Sequence, residues 1–302
     1  MESAKSLLAL TVNPADRLWR YPIAHALVGF ALRTPVTPNH VTIGHTLLGI
    51  SSGVLISSGR PALLVVAGAM FEIRSILDCF DGVLARARGT SSPYGRAMDQ
   101  AGDFLGFAAF IAGSLVAFAR TLGVPAAMAL AITAAGLSAL CTLCWDFYKR
   151  RFSSILLEGR DEVDEEYVNV QLEARRTRVL AIRFSAWFAD LQMRLFNSSA
   201  LPALRARVTD STVPIAAGAV HPAAEKLRAM ATQNDPRLRS TLLKVGFSGG
   251  DTTILILTAA TLVTRPLEGF LAASAYCVVM LAATVSASNR LLHAQPMTAS
   301  SH

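Results

Sequence analysis

The sequence predicts an all-α integral membrane protein with six transmembrane helices, an N-terminal interfacial amphipathic helix and a long cytoplasmic insertion between spans 4 and 5. Composition, clustering and charge placement support this. Of 302 residues, 52% are hydrophobic and only 16% charged, with a mean hydropathy of +0.43; a soluble domain carries about 25% charged residues. The apolar residues gather into six runs, 41–56, 61–73, 104–119, 124–143, 252–263 and 270–285. Some fall short of the roughly 20 residues that cross a bilayer. Each extends into sparse polar residues, as expected of helices whose ends line a protected polar site. The competing reading is the buried helical core of a soluble protein, and six such runs in one chain weigh against it.

Charge placement orients the spans. Basic residues precede span 1 (Arg17, Arg20, Arg33), separate spans 2 and 3 (Arg86, Arg88, Arg96), and follow span 4 (Lys149, Arg150, Arg151) and span 6 (Arg290). The opposite turns carry only Arg60, Arg120, and Arg265 with Glu268. The positive-inside bias then places both termini on the cytoplasmic side of the cell's inner (cytoplasmic) membrane. A formal net charge of +7 suits anionic lipid headgroups. Nucleic acid is not an expected partner, because no basic tract joins a recognisable binding module. The N-terminus lacks the basic-then-apolar order of a cleaved signal peptide.

The elements follow in chain order. Residues 13–32 interleave Arg17, Arg20 and His25 with Leu18, Trp19, Tyr21 and Phe30, which predicts an amphipathic interfacial helix whose continuity Pro22 limits. Thr37-Pro38-Asn39 marks the turn into span 1. Pro61 opens span 2 where its missing N–H costs little, and residues 89–94 break the chain before span 3. Cys141 and Cys144 form a C-x-x-C inside apolar span 4, without a second pair or a nearby histidine; they read as small packing residues rather than a redox or zinc motif. Residues 147–241 form the insertion, with mixed charge, an apolar-faced helix at Leu180–Phe196 carrying Trp187, Phe188, Leu191 and Leu195, and breaks at Pro202, Pro214, Pro222 and Pro236. The expected segments are 1–36, 37–146, 147–241, 242–290 and a C-terminal tail at 291–302.

The chemistry lies in residues 77–104, LDCFDGVLARARGTSSPYGRAMDQAGDF. Helical residues three and four apart share a face, so Asp78, Asp81, Gly82 and Ala85 form a stripe at the cytoplasmic end of span 2. Gly95, Asp99 and Asp103 form another at the start of span 3, with Gly102 and Gly106 as small neighbours. An antiparallel arrangement brings the stripes together, and four carboxylates then surround one or two cations. Oxygen ligands, with no histidine or cysteine on either stripe, favour Mg²⁺, Mn²⁺ or Ca²⁺ over zinc. A structural salt-bridge network with Arg74, Arg86 and Arg96 would explain the charges but leave Gly82 and Gly95 unexplained; those glycines remove side chains where a ligand approaches the backbone. Ionisable groups at a membrane boundary are functional candidates. Carboxylate-held cations with arginine nearby suit a phosphate-bearing substrate. Asp103, farthest into the bundle, is the candidate to accept a proton from an attacking hydroxyl.

These residues resemble the signature of the CDP-alcohol phosphotransferase (phosphatidyltransferase) family: D-x-x-D-G-x-x-A-R, eight residues, then G-x-x-x-D-x-x-x-D. Asp78, Asp81, Gly82, Ala85, Arg86, Gly95, Asp99 and Asp103 fill every fixed position. The Thr37-Pro38-Asn39 turn with Thr42 also resembles the element before this family's first span. The resemblance implies an enzyme of phospholipid synthesis, in which an acceptor hydroxyl attacks a CDP-alcohol donor, commonly CDP-diacylglycerol, and CMP leaves. It implies two ions, Mg²⁺ or Mn²⁺, the first held by Asp78, Asp81 and Asp99 and the second by Asp78, Asp99 and Asp103. Asp103 is then the general base. Gly82, Ala85 and Gly95 make room for the cytidine and its phosphates, with Arg86 near their charge.

The motif leaves the acceptor open. Lys149, Arg150, Arg151, Lys244 and Arg33 offer a basic patch for a phosphorylated acceptor, or simply follow the positive-inside bias. The small-residue opening of span 5, with Asp251, suits an acceptor cavity or close helix packing. Transfer of phosphocholine or phosphoethanolamine to a diacylglycerol-like acceptor is the alternative reaction. A transporter with an intramembrane carboxylate site is the alternative of another class, and it predicts polar residues at mid-membrane depth in several spans. Membrane lipids are expected partners, and the apolar bundle permits a homodimer.

Overall fold

A computed structural model describes residues 2–210 and 221–292, and all regular structure among them is helical. In order, the helices are α1 (Glu2–Leu8), α2 (Tyr21–Ala31), α3 (Pro38–Ser57), α4 (Pro61–Ala87), α5 (Pro93–Leu122), α6 (Val124–Leu157), α7 (Glu162–Arg176), α8 (Leu180–Phe196), α9 (Leu201–Asp210), α10 (Ala224–Thr232), α11 (Pro236–Phe247), α12 (Gly250–Leu262) and α13 (Pro266–Leu292). A 3₁₀ turn (Ala9–Thr11) and a π-helical turn (Asp16–Arg20) lie between α1 and α2. Pro214 and residues 293–302 of the expected tail lie outside the described residues.

Four helices are long and apolar enough to cross a membrane: Pro38–Ser57, Tyr94–Leu122, Val124–Leu157 and Pro266–Leu292. The pair α11 and α12, interrupted at Ser248–Gly249, makes a fifth if it is one broken span. α4 is not among them. Its 27 residues are long enough, but Glu72, Arg74, Asp78, Asp81 and Arg86 crowd its second half. Length and composition therefore support a multi-pass membrane protein of four or five such helices, against the six counted from apolar runs.

The chain divides into two compact units, Asn13–Ala139 with Gly250–Val278, and Met1–Val12 with Leu140–Gly249 and Val279–His302. In the first unit, α3 packs against both α4 and α5. The α3–α5 crossing is made of glycine. A Cβ on Gly49 would fall 2.8 Å from Gly106 Cα, and one on Gly113 would collide with the Gly53 backbone. Only hydrogen side chains allow this approach, the small-residue packing of membrane helices. On the α4 side, Ser52 Oγ donates to the Ala67 carbonyl at 2.8 Å. Phe71, Phe110, Phe118 and Phe270 fill the apolar end with edge-on contacts, 4.7 Å between the Phe71 and Phe110 rings and 5.0 Å between Phe118 and Phe270.

The interfacial segment does not break at Pro22. The π-helical turn runs straight into α2, since a widened turn absorbs the backbone donor that proline withholds. Side chains fasten this segment to α4. The buried Arg20 guanidinium donates through Nε and Nη2 to both Glu72 oxygens at 2.9 Å, and Trp19 Nε1 donates to Glu72 Oε1 at 2.9 Å. At the other end, Arg88 Nη2 donates to the Ala31 and Thr34 carbonyls, each at 2.8 Å.

In the second unit, α6 continues through Asp146 to Leu157, so the expected start of the insertion at residue 147 falls inside a helix. Phe147, Tyr148 and Phe152 are buried in its core, and Tyr148 Oη donates to the Phe196 carbonyl at 2.7 Å. Cys141 and Cys144 are buried thiols, as packing residues should be. On α8, Trp187 and Leu195 are exposed, while Phe188 and Leu191 are half-buried. The basic residues after span 4 have partners. Lys149 Nζ lies 4.2 Å from the Trp145 ring centre, Arg150 pairs with Asp146 and Glu166, and buried Arg151 pairs with Asp161 and, at 3.6 Å, Asp164. A phosphate-binding patch built from these groups would first have to break those contacts.

Two predictions follow from this packing. Gly49→Val should lower the thermal midpoint in detergent, because overpacking of this kind costs about 1–3 kcal/mol; an unchanged midpoint would contradict the close crossing. Burial, then the neighbouring Asp161, lift Asp164 to about 6 despite Arg151. A carboxyl raised from its usual value binds more protons folded than unfolded, so stability falls as pH rises from about 4 to about 6. Asp164→Asn should flatten that slope in thermal midpoints taken across the window.

Candidate active site

The site is built from α3, α4 and α5. Thr37 caps α3: its Oγ1 accepts from His40 N at 3.3 Å, and His40 Nδ1 accepts from Thr37 N at 3.3 Å, a reciprocal capping box. Ser92 caps α5, its Oγ accepting from Gly95 N at 3.0 Å. The two caps set the entries of helices whose first turns face one cavity of about 600 Å³. Asp81, Gly82, Ala85 and Arg86 line it from α4, Gly95 and Asp99 from α5, and Asn39 and Thr42 from α3. The Arg86 guanidinium overlies Gly82, where an added Cβ would stand 3.5 Å from Nη1. Gly82, Ala85, Arg86 and Gly95, the residues expected to face a nucleotide, thus all line this cavity.

Asp99, which lines the cavity, belongs to a carboxylate cluster. Oxygens of Asp78, Asp99 and Asp103 lie with a ring nitrogen of His45 inside a common 4.8 Å envelope. His45 Nε2 is 3.3 Å from Asp81 Oδ2, 3.6 Å from Asp99 Oδ1 and 4.0 Å from Asp78 Oδ1. His45 is fully buried, and neither of its ring nitrogens meets a partner in hydrogen-bonding geometry; Asp99 Oδ1 is likewise buried and unpartnered. Asp81 is buried and differently placed. Its Oδ2 accepts from Thr42 Oγ1 at 2.6 Å, a charge-assisted bond that fixes the carboxylate. Asp103 ion-pairs with buried Arg74, whose guanidinium carbon also lies 5.4 Å from the Phe71 ring centre.

These donors fit a divalent cation. Closely spaced carboxylates with unmet acceptor capacity and a buried, unpaired imidazole are costly together unless a positive charge is shared among them. Three of the four predicted aspartates, Asp78, Asp99 and Asp103, therefore meet at one place with His45, and Asp81 borders it through its contacts with His45 and Thr42. Three groups that the two stripes did not reveal join them: His45 and Thr42 from α3, and Arg74 as the fixed partner of Asp103. A signal was present on α3. Thr42, His45, Gly49 and Gly53 recur at helical spacing inside an apolar run, and all four are buried. Asp251, expected near an acceptor cavity, sits half-buried in the first turn of α12, beside Thr252, whose Oγ1 accepts from Asn13 Nδ2 at 2.8 Å.

Thr42→Val removes the hydroxyl that fixes Asp81. Loss of such a supporting contact typically costs roughly 10–100-fold in metal affinity or activity, so Mn²⁺ binding by calorimetry should weaken within that range while the helical content stays unchanged.

Comparison with known proteins agrees with this geometry. Residues 35–153 match the family model described as CDP-alcohol phosphatidyltransferase, a stretch that contains every site residue named on α3, α4 and α5. A curated relative, the bifunctional IPC transferase and DIPP synthase of Rubrobacter xylanophilus, is 38% identical over 82 residues, which are 27% of this chain. The match spans only 18% of that relative's length. Residues 35–153 thus carry a CDP-alcohol phosphatidyltransferase domain, and the comparisons point to a transferase of phosphate-containing groups.

Proposed function

We propose that the chain transfers a phospho-alcohol group from a CDP-alcohol, the phosphatidyl group of CDP-diacylglycerol, to an acceptor hydroxyl with release of CMP. The observation that carries this reading is the convergence of Asp78, Asp99 and Asp103 within a common 4.8 Å envelope, with Asp99 also lining a cavity together with Gly82, Ala85, Arg86 and Gly95. Asp78, Asp81, Asp99 and Asp103 would hold one or two Mg²⁺ or Mn²⁺ ions. When bound, the cations supply neutralisation of the phosphoryl oxygens and of the departing CMP.

The protein's own groups do the rest. Bare backbone at Gly82 and Gly95 admits the nucleotide to the helix surfaces, and Arg86 faces its phosphates. Asp103 receives the proton of the attacking hydroxyl, which suits direct in-line displacement at phosphorus. Arg74 holds that carboxylate in place, so that the acceptor oxygen meets a fixed base. The bond from the acceptor oxygen to phosphorus forms as the bond to the CMP oxygen breaks. In this reading α4 and the α11–α12 pair complete six spans, the cavity opens to the cytoplasm at the inner membrane, and the insertion lies on that same side. The donor's acyl chains remain among the membrane lipids while its headgroup enters the cavity.

The test is a product screen with the purified chain, offering CDP-diacylglycerol, CDP-choline and CDP-ethanolamine with and without Mg²⁺ against several hydroxyl acceptors. CMP should appear from CDP-diacylglycerol, stop on chelation, and fall by at least about 10²-fold in Asp103→Asn, the lower range for loss of a general base. Turnover of only the headgroup donors would replace the donor assignment. Normal turnover in Asp103→Asn would remove the role given to that residue.

A further inference from the structure

The two acidic stripes account for an all-oxygen site, yet the structure adds a nitrogen to it. His45 comes from α3, a helix with no carboxylate, and is fully buried with its Nε2 directed at Asp78, Asp81 and Asp99. Neither ring nitrogen is hydrogen-bonded, an expensive condition for a buried imidazole. We propose that His45 Nε2 is a direct ligand of the divalent cation, giving a mixed nitrogen–oxygen site that prefers Mn²⁺ to Mg²⁺. This rests on the metal-dependent reading above and deepens it.

The distances carry the assignment. Ligands about 2.1 Å from one ion stand about 3 Å apart when adjacent and about 4.2 Å apart when opposite. The separations of 3.6 and 4.0 Å from Nε2 to Asp99 Oδ1 and Asp78 Oδ1 fall between those limits. Nε2 meets none of the surrounding carboxylate oxygens in hydrogen-bonding geometry, and a shared cation would give it a partner. The surroundings also hold the ring in place. Thr46 and His45 border Gly102, where a Cβ would come 3.4 Å from His45 Cε1; a larger residue at 102 would push the imidazole aside. Asp81, engaged by Thr42 through Oδ2, keeps its other oxygen for the ion. Imidazole suits transition ions, whereas Mg²⁺ selects oxygen donors and retained water, so replacing one oxygen by nitrogen shifts preference towards Mn²⁺. The three hard carboxylates keep the site from being one for softer ions.

The experiment is pulsed electron paramagnetic resonance of Mn²⁺ bound to the full chain in detergent or nanodiscs. Modulation from a directly bonded ¹⁴N should be present and should change to the ¹⁵N pattern when the protein is grown with ¹⁵N-histidine, a comparison that needs no variant. In His45→Gln the nitrogen modulation should vanish while Mn²⁺ still binds, with Mn²⁺ affinity falling roughly tenfold or more relative to Mg²⁺. His45→Asn serves the same purpose if the glutamine variant is unstable. Stoichiometric Mn²⁺ that shows no nitrogen coupling overturns the role of His45 and leaves the carboxylate site standing. Nitrogen coupling that survives in both variants also overturns it. Failure of the chain to bind Mn²⁺ in any form removes this inference together with the metal-dependent reading.

Discussion

The glycine crossing of α3 and α5 is the constraint on which the site depends. Because Gly49, Gly53, Gly106 and Gly113 carry no side chains at the contact, the two backbones approach closely enough for residues one or two turns away to share a polar centre. His45 and Thr42 on α3 lie within two turns of Gly49, and Asp99 and Asp103 lie within two turns of Gly106. The same approach that excludes lipid from the seam therefore delivers an imidazole and a hydroxyl to the carboxylates. Van der Waals packing, which replaces the hydrophobic driving force between helices in a membrane, is here also the device that sets ligand spacing.

Gathering that much negative charge at one end of a bundle has to be compensated. Asp103 is neutralised by Arg74, and Asp81 is held by a hydroxyl rather than a cation. Asp99 Oδ1 is buried without a hydrogen-bond partner, and Asp78 and Asp99 are the two carboxylates shared between both expected ion positions. The arrangement leaves the deficit of positive charge at the point where the proposed divalent ion would sit. Farther along α4, Glu72 is taken up by Arg20 and Trp19, so this acid belongs to the clamp on the interfacial segment. Helix α4 thus carries acids of two kinds, one set tied down by neighbours and the other held open.

How much of this was legible in the sequence follows from how local each signal is. The stripe of Asp78, Asp81, Gly82 and Ala85 and that of Gly95, Asp99 and Asp103 are i,i+3 and i,i+4 patterns within single helices, and the structure brings them to one place as their spacing requires. The caps at Thr37 and Ser92 are equally local. His45 was hidden because its role depends on a contact between helices. In isolation it is one histidine in an apolar run, and only its alignment with Thr42, Gly49 and Gly53 marks the face on which it lies. The count of six spans had a different difficulty. Apolar runs register hydropathy but not helix continuity, so α6 was ended before Leu157, whereas the charged second half of α4 was read as helix up to the break at residue 89. The basic residues after span 4 were read as available because charge in a sequence does not reveal partners such as Asp161 or Glu166.

The pairing of Arg74 with Asp103 bears on how a base and a metal ligand can be the same group. A carboxylate has two oxygens, and a buried guanidinium on one of them fixes its orientation without consuming both. Such a cation also makes the carboxylate a weaker base. That loss is tolerable where the acceptor hydroxyl is itself acidified beside a divalent ion, because proton transfer then needs position more than strength. An unpaired Asp103 would be more basic but free to turn, and in a cavity crowded by Asp78 and Asp99 it would also be more inclined to hold a proton. The ion pair favours an oriented carboxylate, and its guanidinium comes from the same helix that supplies Asp78 and Asp81. The position of Asp103 is therefore set by packing along α4 and by the α3–α5 seam, so the geometry of the proposed proton acceptance and of the proposed cation binding would be fixed by one set of helix contacts.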